Sequence, residues 1–196
     1  MYLSRLTLIP SRVSLNWLAN PYRVHQRLMM ACGSDPRMLF RIENDGAAPR
    51  ILVQSWKLPD WPVSFDSFHV LAQPAEVKPF ELHLSAGQVL RFCLVANPTV
   101  KRDGRRLGLL TETEQQAWLK RKLSGSGAEM AACRATSLGL KHSRKKADDS
   151  EPVHLMVRFE GLLHVQDPEK LAAAVAAGIG PAKGFGCGLL SLARAG

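Results

Sequence analysis

The order in which strand-like and helix-like segments follow one another restricts this chain more than any single motif does. Residues 3–9 (LSRLTLI) alternate in polarity and are rich in β-formers, so they read as a strand. Asn20 followed by Pro21 marks a helix start. Asparagine can accept from free backbone N–H groups there, and proline at the first helical position loses nothing by lacking one. The helix is expected to run from about Pro21 to Cys32 and to stop at Gly33. Residues 38–43 (MLFRIE) and 51–57 (ILVQSWK) are strand-like and flank the turn-rich NDGAAP, which suggests a hairpin. An irregular stretch with Pro59, Pro62, Pro74 and Pro79 then leads to a strand at 89–95 (VLRFCLV).

The second half repeats the theme. Residues 112–123 (ETEQQAWLKRKL) are helical, with Thr111 and Glu114 in a capping-box pattern. Strand-like runs at 130–140 and 153–165 flank the polar loop KHSRKKADDSE. Asp167 and Pro168 open an Ala-rich helix that Gly178 closes, and LLSLA at 189–193 makes a last strand. The expected fold is therefore α+β, two tandem ferredoxin-like (RRM-like) βαββαβ domains, the second helix of the first being short or eroded. The expected division is residues 1–95 and 96–196.

At 46% hydrophobic and 22% charged, the 196 residues suit a globular chain with one large or two small cores. No apolar run reaches the roughly 18 residues of a membrane span, and MYLSRLTLIP lacks the sections of a signal peptide, so a cytoplasmic protein with no membrane partner is expected. Cys32, Cys93, Cys133 and Cys187 form no C-x-x-C pair and read as small buried hydrophobes. The charge of +9 is unevenly spread. Between Lys101 and Lys146 twelve Lys and Arg face four acids, a local net of +8. Such a block attracts a polyanion, and no amphipathic lipid-binding helix accompanies it.

For chemistry, helical periodicity puts Val24, Leu28 and Ala31 on one buried stripe. His25 lies off that stripe, with Tyr22 three residues earlier on the same side, so both can address one point. Histidine exchanges protons near neutral pH and tyrosine can donate to developing charge, although from spacing alone a helix-edge histidine that only bonds its neighbours is the commoner case. His154 and His164 read as structural, His142 lies in the basic loop, and His69 and His83 carry no signal. The run GIGPAKGFGCGLLSL (178–192) follows a helix and precedes a strand, the reverse of a dinucleotide loop. Its glycines, with Lys183, suit either backbone contact with phosphate or a tight turn between domains. No paired carboxylates, nucleophile elbow or metal-ligand spacing are evident, and no cofactor or metal is expected.

Several separated segments carry a joint signal: Met1-Tyr2-Leu3-Ser4, Asn20-Pro21-Tyr22-Arg23-Val24-His25, Ala96-Asn97-Pro98, residues 116–123 (QAWLKRKL), Phe159-Glu160-Gly161 and residues 180–192 (GPAKGFGCGLLSL). In that order, and across nearly the whole chain, they resemble one family, CasE (also called Cse3), the repeat-RNA endoribonucleases of the type I-E CRISPR Cascade complex. The resemblance implies two tandem ferredoxin-like domains and places the catalytic histidine at His25. It places the tyrosine used by some members at Tyr22. It puts the basic hairpin loop that engages the repeat stem-loop at Lys141, Arg144, Lys145 and Lys146. With these, Lys101, Arg102, Arg105, Arg106 and Lys183 are the candidate RNA contacts. The implied reaction needs no metal: the RNA's own 2′-hydroxyl attacks the adjacent phosphate, leaving a 2′,3′-cyclic phosphate or 3′-phosphate and a 5′-hydroxyl. The implied partners are CRISPR repeat RNA, as the crRNA stem-loop, and other Cascade subunits. The alternative is a non-catalytic RNA-binding scaffold subunit of a ribonucleoprotein.

Overall fold

The computed structural model describes residues 1–33, 37–44, 46–142 and 153–195. Their contacts group Met1–Glu81 with Gly184–Gly186 into one compact unit, and Leu82–Lys141, Val153–Lys183 and the residues from Cys187 into a second.

The first unit comprises β1 (Tyr2–Thr7), α1 (Arg12–Leu18), α2 (Pro21–Cys32), β2 (Leu39–Glu43), β3 (Arg50–Ser55), α3 (Trp61–Phe65) and β4 (Glu76–Pro79). The sheet order is β2-β3-β1-β4 with antiparallel neighbours, the ferredoxin-like arrangement. Leu6 of β1 faces Ile51 of β3 in register, and both are buried with Leu8, Val24, Leu28, Phe40, Val53 and Phe65. The second helix, α3, is a single short turn anchored by the buried Trp61, whose indole N–H donates to Ser4 Oγ at 3.2 Å. α1 was not expected from the sequence; Ser11 caps it by accepting from the Ser14 N–H.

The second unit comprises β5 (Val89–Ala96), β6 (Thr99–Arg102), β7 (Arg105–Gly108), α4 (Glu112–Ser124), β8 (Ala128–His142), β9 (Val153–Val165), α5 (Pro168–Ala177) and β10 (Leu190–Arg194); a 3-10 turn at Lys183–Phe185 begins on its last residue before Gly184–Gly186 of the first unit. Its main sheet runs β10-β5-β9-β8, so β5-α4-β8-β9-α5-β10 is again ferredoxin-like. Trp118 of α4 stacks on Phe159 of β9 with centroids 6.1 Å apart, both fully buried. The Phe159-Glu160-Gly161 segment has a steric reason: a Cβ on Gly161 would collide with the Ala132 carbonyl of the adjacent strand.

The strand at 89–95 does not close the first sheet, as the 1–95 and 96–196 division had it. β5 pairs with β9 from Val89↔His164 to Ala96↔Val157 and with β10 on its other side, making it the first strand of the second sheet. The strand that closes the first sheet is β4, four exposed residues ending in proline. An edge position tolerates a proline and needs no apolar alternation, so the sequence carries little strand signal there. A cross-strand ion pair holds it: Arg5 and Glu76 are register partners, and the Arg5 guanidinium donates through Nε at 3.2 Å and Nη2 at 2.5 Å.

The capped helices follow the sequence closely. Thr111 and Glu114 form both halves of the capping box, and Asp167 caps α5 through the Lys170 N–H. None of the four cysteines is in a disulfide; Cys32 and Cys187 are buried, whereas Cys93 and Cys133 are half-buried. Among the described residues no helix is long and apolar enough to cross a membrane.

Candidate functional site

The site in the first unit is built on α2. Asn20 Oδ1 accepts from the Arg23 N–H at 3.3 Å, Pro21 takes the first helical position, and Gly33 ends the helix at φ +59°. Val24, Leu28, Ala31 and Cys32 are buried in the core, as the periodicity requires. That anchoring leaves Tyr22 and His25 half-buried on the flank, one turn apart.

Three other pieces of the first unit surround these two rings. Phe40 of β2, fully buried, stacks with His25 at 6.0 Å between centroids and 13° between planes. Phe185 stacks with Tyr22 at 6.2 Å and 27°. Gly184 and Gly186 flank Phe185: a Cβ on Gly184 would lie 3.5 Å from His25 Cδ2 and 3.7 Å from Nε2, and one on Gly186 would lie 3.2 Å from Phe40 Cε2. Phe40 was missed by the sequence reading, since nothing distinguishes it from any other core aromatic on a strand. Phe185 lay inside a run read for its glycines.

Burial lowers the His25 pKa from its ordinary value of 6.5, because a half-enclosed imidazolium loses hydration. The ring is therefore neutral at pH 7. Its Nδ1 is buried and has no hydrogen-bond partner among the described residues, while Gly184 packs against the Cδ2 side of the ring. Buried polar atoms are rarely left unbonded, and each exception calls for an explanation. Among the described residues no three His, Cys, Asp or Glu side chains converge.

The second unit carries the cations. Lys101, Arg102, Arg105 and Arg106 form the end of the β6–β7 hairpin, which turns through Asp103 at φ +47° and Gly104 at φ +78°. Two consecutive positive φ values are the signature of a type I′ turn, which Asp-Gly favours. In register, Lys101 faces Arg106 and Arg102 faces Arg105, and all four side chains are exposed. Like charges directly opposite on a ladder repel, so this pairing is tolerated for something other than stability. Arg102 has some compensation: the Glu114 carboxyl is held below its usual range chiefly by its hydrogen bonds with Thr111, with a smaller contribution from Arg102. Lys141 lies near the end of β8. Arg144, Lys145 and Lys146 lie outside the described residues, as does the His142 side chain. Lys183 is exposed, and its Nζ donates to the Ala177 carbonyl at the end of α5 at 2.6 Å. His154 Nδ1 is 3.0 Å from the Asn97 side-chain amide, and burial lowers its pKa.

The family model described as CRISPR associated protein matches residues 1–194. The CRISPR-associated endoribonuclease Cse3 of Thermus thermophilus is 37% identical, over 98% of this chain and all of that one. The CRISPR system Cascade subunit CasE of Escherichia coli is 33% identical, over 98% of this chain and 99% of that one. The solved structure of the CRISPR endoribonuclease Cse3 bound to 19 nt RNA superposes with a TM-score of 0.86 at 36% identity, covering 99% of this chain and 100% of the other. Matched from end to end in both sequence and fold, this chain belongs to the CasE (Cse3) family of CRISPR-associated proteins.

Proposed function

We propose that this chain is a cytoplasmic endoribonuclease that cuts CRISPR repeat stem-loop RNA without a metal and works as a subunit of a Cascade-type complex. The observation that carries the reading is the state of His25 in a chain of this family: neutral, wedged between Phe40 and Gly184, with Tyr22 one turn away. In the proposed step the RNA 2′-oxygen gives up its proton and bonds to the adjacent phosphorus. The bond from phosphorus to the 5′-oxygen breaks, and that oxygen takes up a proton. The nucleophile belongs to the substrate, so the protein needs only proton transfer, alignment and positive charge. A neutral imidazole at pH 7 suits the acceptor role, and proton transfer of this kind contributes about 10² to 10⁴ in rate. Tyr22 orients the 2′-hydroxyl or the phosphate through its own O–H.

Affinity for the stem-loop comes from Lys101, Arg102, Arg105, Arg106 and Lys141, together with Arg144, Lys145 and Lys146. Lys183 spends one N–H on Ala177 and keeps two for phosphate. Side chains do not ordinarily read the deep, narrow groove of A-form RNA, so stem recognition rests on shape and phosphate, with single-stranded flanks open to base contacts.

The test is cleavage of a repeat stem-loop in EDTA. The wild type is expected to leave a 2′,3′-cyclic phosphate or 3′-phosphate. A single 2′-deoxy substitution at the cut site, or His25→Ala, is expected to abolish cutting while binding persists. Tight binding with no cutting by the wild type would favour the scaffold reading instead.

A further inference from the structure

Around the side of α2 turned away from the core, helical periodicity orders the side chains His25, Tyr22, Gln26, Met30, Arg23 and Arg27. The first two form the candidate site. The other four, with Trp17 of α1 and Phe68, line a groove of about 620 Å³. That volume lies within the roughly 300 to 1,000 Å³ of sites that hold small organic ligands. Gln26 is one turn from Tyr22, so the groove and the candidate site share a border.

The groove suits an anion that carries a flat ring. The first 34 residues hold four arginines, Arg5, Arg12, Arg23 and Arg27, and no aspartate or glutamate, and no acidic side chain lines the groove. Arg27 is fixed in place: its Nη1 donates to the Ser64 carbonyl at 2.9 Å, and Ser64 Oγ donates to the Arg27 carbonyl at 2.9 Å. Its guanidinium lies 4.6 Å over the Phe68 ring, against which Trp17 packs edge-on at 5.3 Å. A guanidinium plane held on one face offers the other to a nucleobase. Arg23 is exposed, and among the described residues no carboxylate pairs with it. It is the third residue of α2, in a first turn without an acid, where the helix dipole disfavours a cation. A charge kept there against the dipole is available to phosphate.

We propose that this groove is a subsite for the single-stranded RNA that runs on past the cut, away from the stem: Arg23 takes a phosphate, and a base stacks on Arg27 beside Trp17. The inference deepens the proposed nuclease function and rests on it. A protein partner fits less well, because Arg23, Gln26 and Arg27 present mainly donors, and a nucleotide is rich in acceptors.

Fluorescence anisotropy with hairpins that carry a 2′-deoxy cut site, either ending at the cut or continuing past it as a single strand, isolates the flank. The wild type is expected to bind the longer RNA more tightly. Arg23→Gln is expected to remove about fivefold of that gain at roughly 0.1 M salt, and to flatten the log–log salt slope for the longer RNA by about 0.7, the share of one single-strand phosphate. Arg23→Lys, which keeps the charge, is expected to retain most of the gain. Arg12→Gln removes an equal charge outside the groove and should change both affinities alike. Because the helix dipole opposes a cation at position 23, Arg23→Gln should melt no lower than the wild type. In single-turnover cleavage of the longer RNA, Arg23→Gln should raise the half-saturating concentration more than it lowers the maximal rate, the mark of lost uniform binding.

Equal affinity of the wild type for the two RNAs, or an Arg23→Gln loss that is the same with and without the flank, would overturn the subsite. So would an Arg23→Gln variant that binds both RNAs as the wild type does but loses its hold on other Cascade subunits, which would make the groove a protein contact. The two readings fail separately. A wild type that binds the flank through Arg23 and never cuts ends the nuclease reading and keeps the subsite, whereas cutting that needs His25, with an Arg23→Gln effect blind to the flank, ends only the subsite.

Discussion

Replacing Lys101, Arg102, Arg105 and Arg106 together by glutamine tests whether the β6–β7 hairpin grips RNA. The substitution keeps a polar side chain and removes both opposed cation pairs, Lys101 with Arg106 and Arg102 with Arg105. Each phosphate neutralised releases counterions, and the slope of log K against log salt changes by about 0.7 to 0.9 per contact. Four contacts make a slope difference of roughly 3. Between about 50 and about 200 mM salt, the affinity deficit of the variant should then shrink by roughly fifty- to a hundred-and-fifty-fold. Fluorescence anisotropy with an uncleavable RNA hairpin over a salt series reads the slopes directly. The fold supplies an internal control: removing two directly opposed like-charge pairs relieves about 0.2 to 1 kcal/mol each, so the melting temperature should hold or rise. Parallel salt slopes for wild type and variant, with the melting temperature maintained, would refute the assignment of these four residues.

His25→Ala should lower the cleavage rate by about 10² to 10⁴ while the RNA affinity is kept, checked by single-turnover kinetics beside anisotropy. If His25 takes the proton, the rate should fall on acidification with its midpoint below pH 6.5, because burial lowers the pKa from that value; a rate that climbs on acidification would make it the donor. The same shift bears on stability. Folded His25 and His154 bind fewer protons than the unfolded chain below pH 6.5, so melting temperature should fall as pH drops through that range and level off below the folded pKa values. Ser4→Ala strands the buried Trp61 N–H and should destabilise the protein by about 1 to 3 kcal/mol in urea unfolding. Gly161→Ala should do worse, since its methyl has to displace the Ala132 backbone.

Much of this was legible in the residues themselves because it is local. Asn20, Pro21 and Gly33 delimit α2 by their backbone chemistry, and helical spacing then commits Val24, Leu28 and Ala31 to the core and Tyr22 with His25 to the flank. Thr111 and Asp167 set their helices in the same way. The concentration of charge after Lys101 needed no structure either. The β6–β7 hairpin was also within reach, through Asp103-Gly104, but its flanking residues are charged where a strand search looks for apolar alternation.

What depended on tertiary structure is whatever joins residues distant in the chain. An apolar run such as 89–96 reads as a strand in any sheet; only pairing with β9 and β10 assigned it to the second, and only the Arg5–Glu76 register made β4 the last strand of the first. Likewise, nothing near Tyr22 or His25 in sequence announces Phe40 or the segment Gly184–Gly186. Backbone preferences act over a few residues and so can be read from sequence, whereas stacking and desolvation depend on which surfaces meet after the chain has closed. The sequence alone thus determined which helix carries the histidine, and folding decided that its ring is half-buried against Phe40 beside Gly184, with its pKa lowered by that burial.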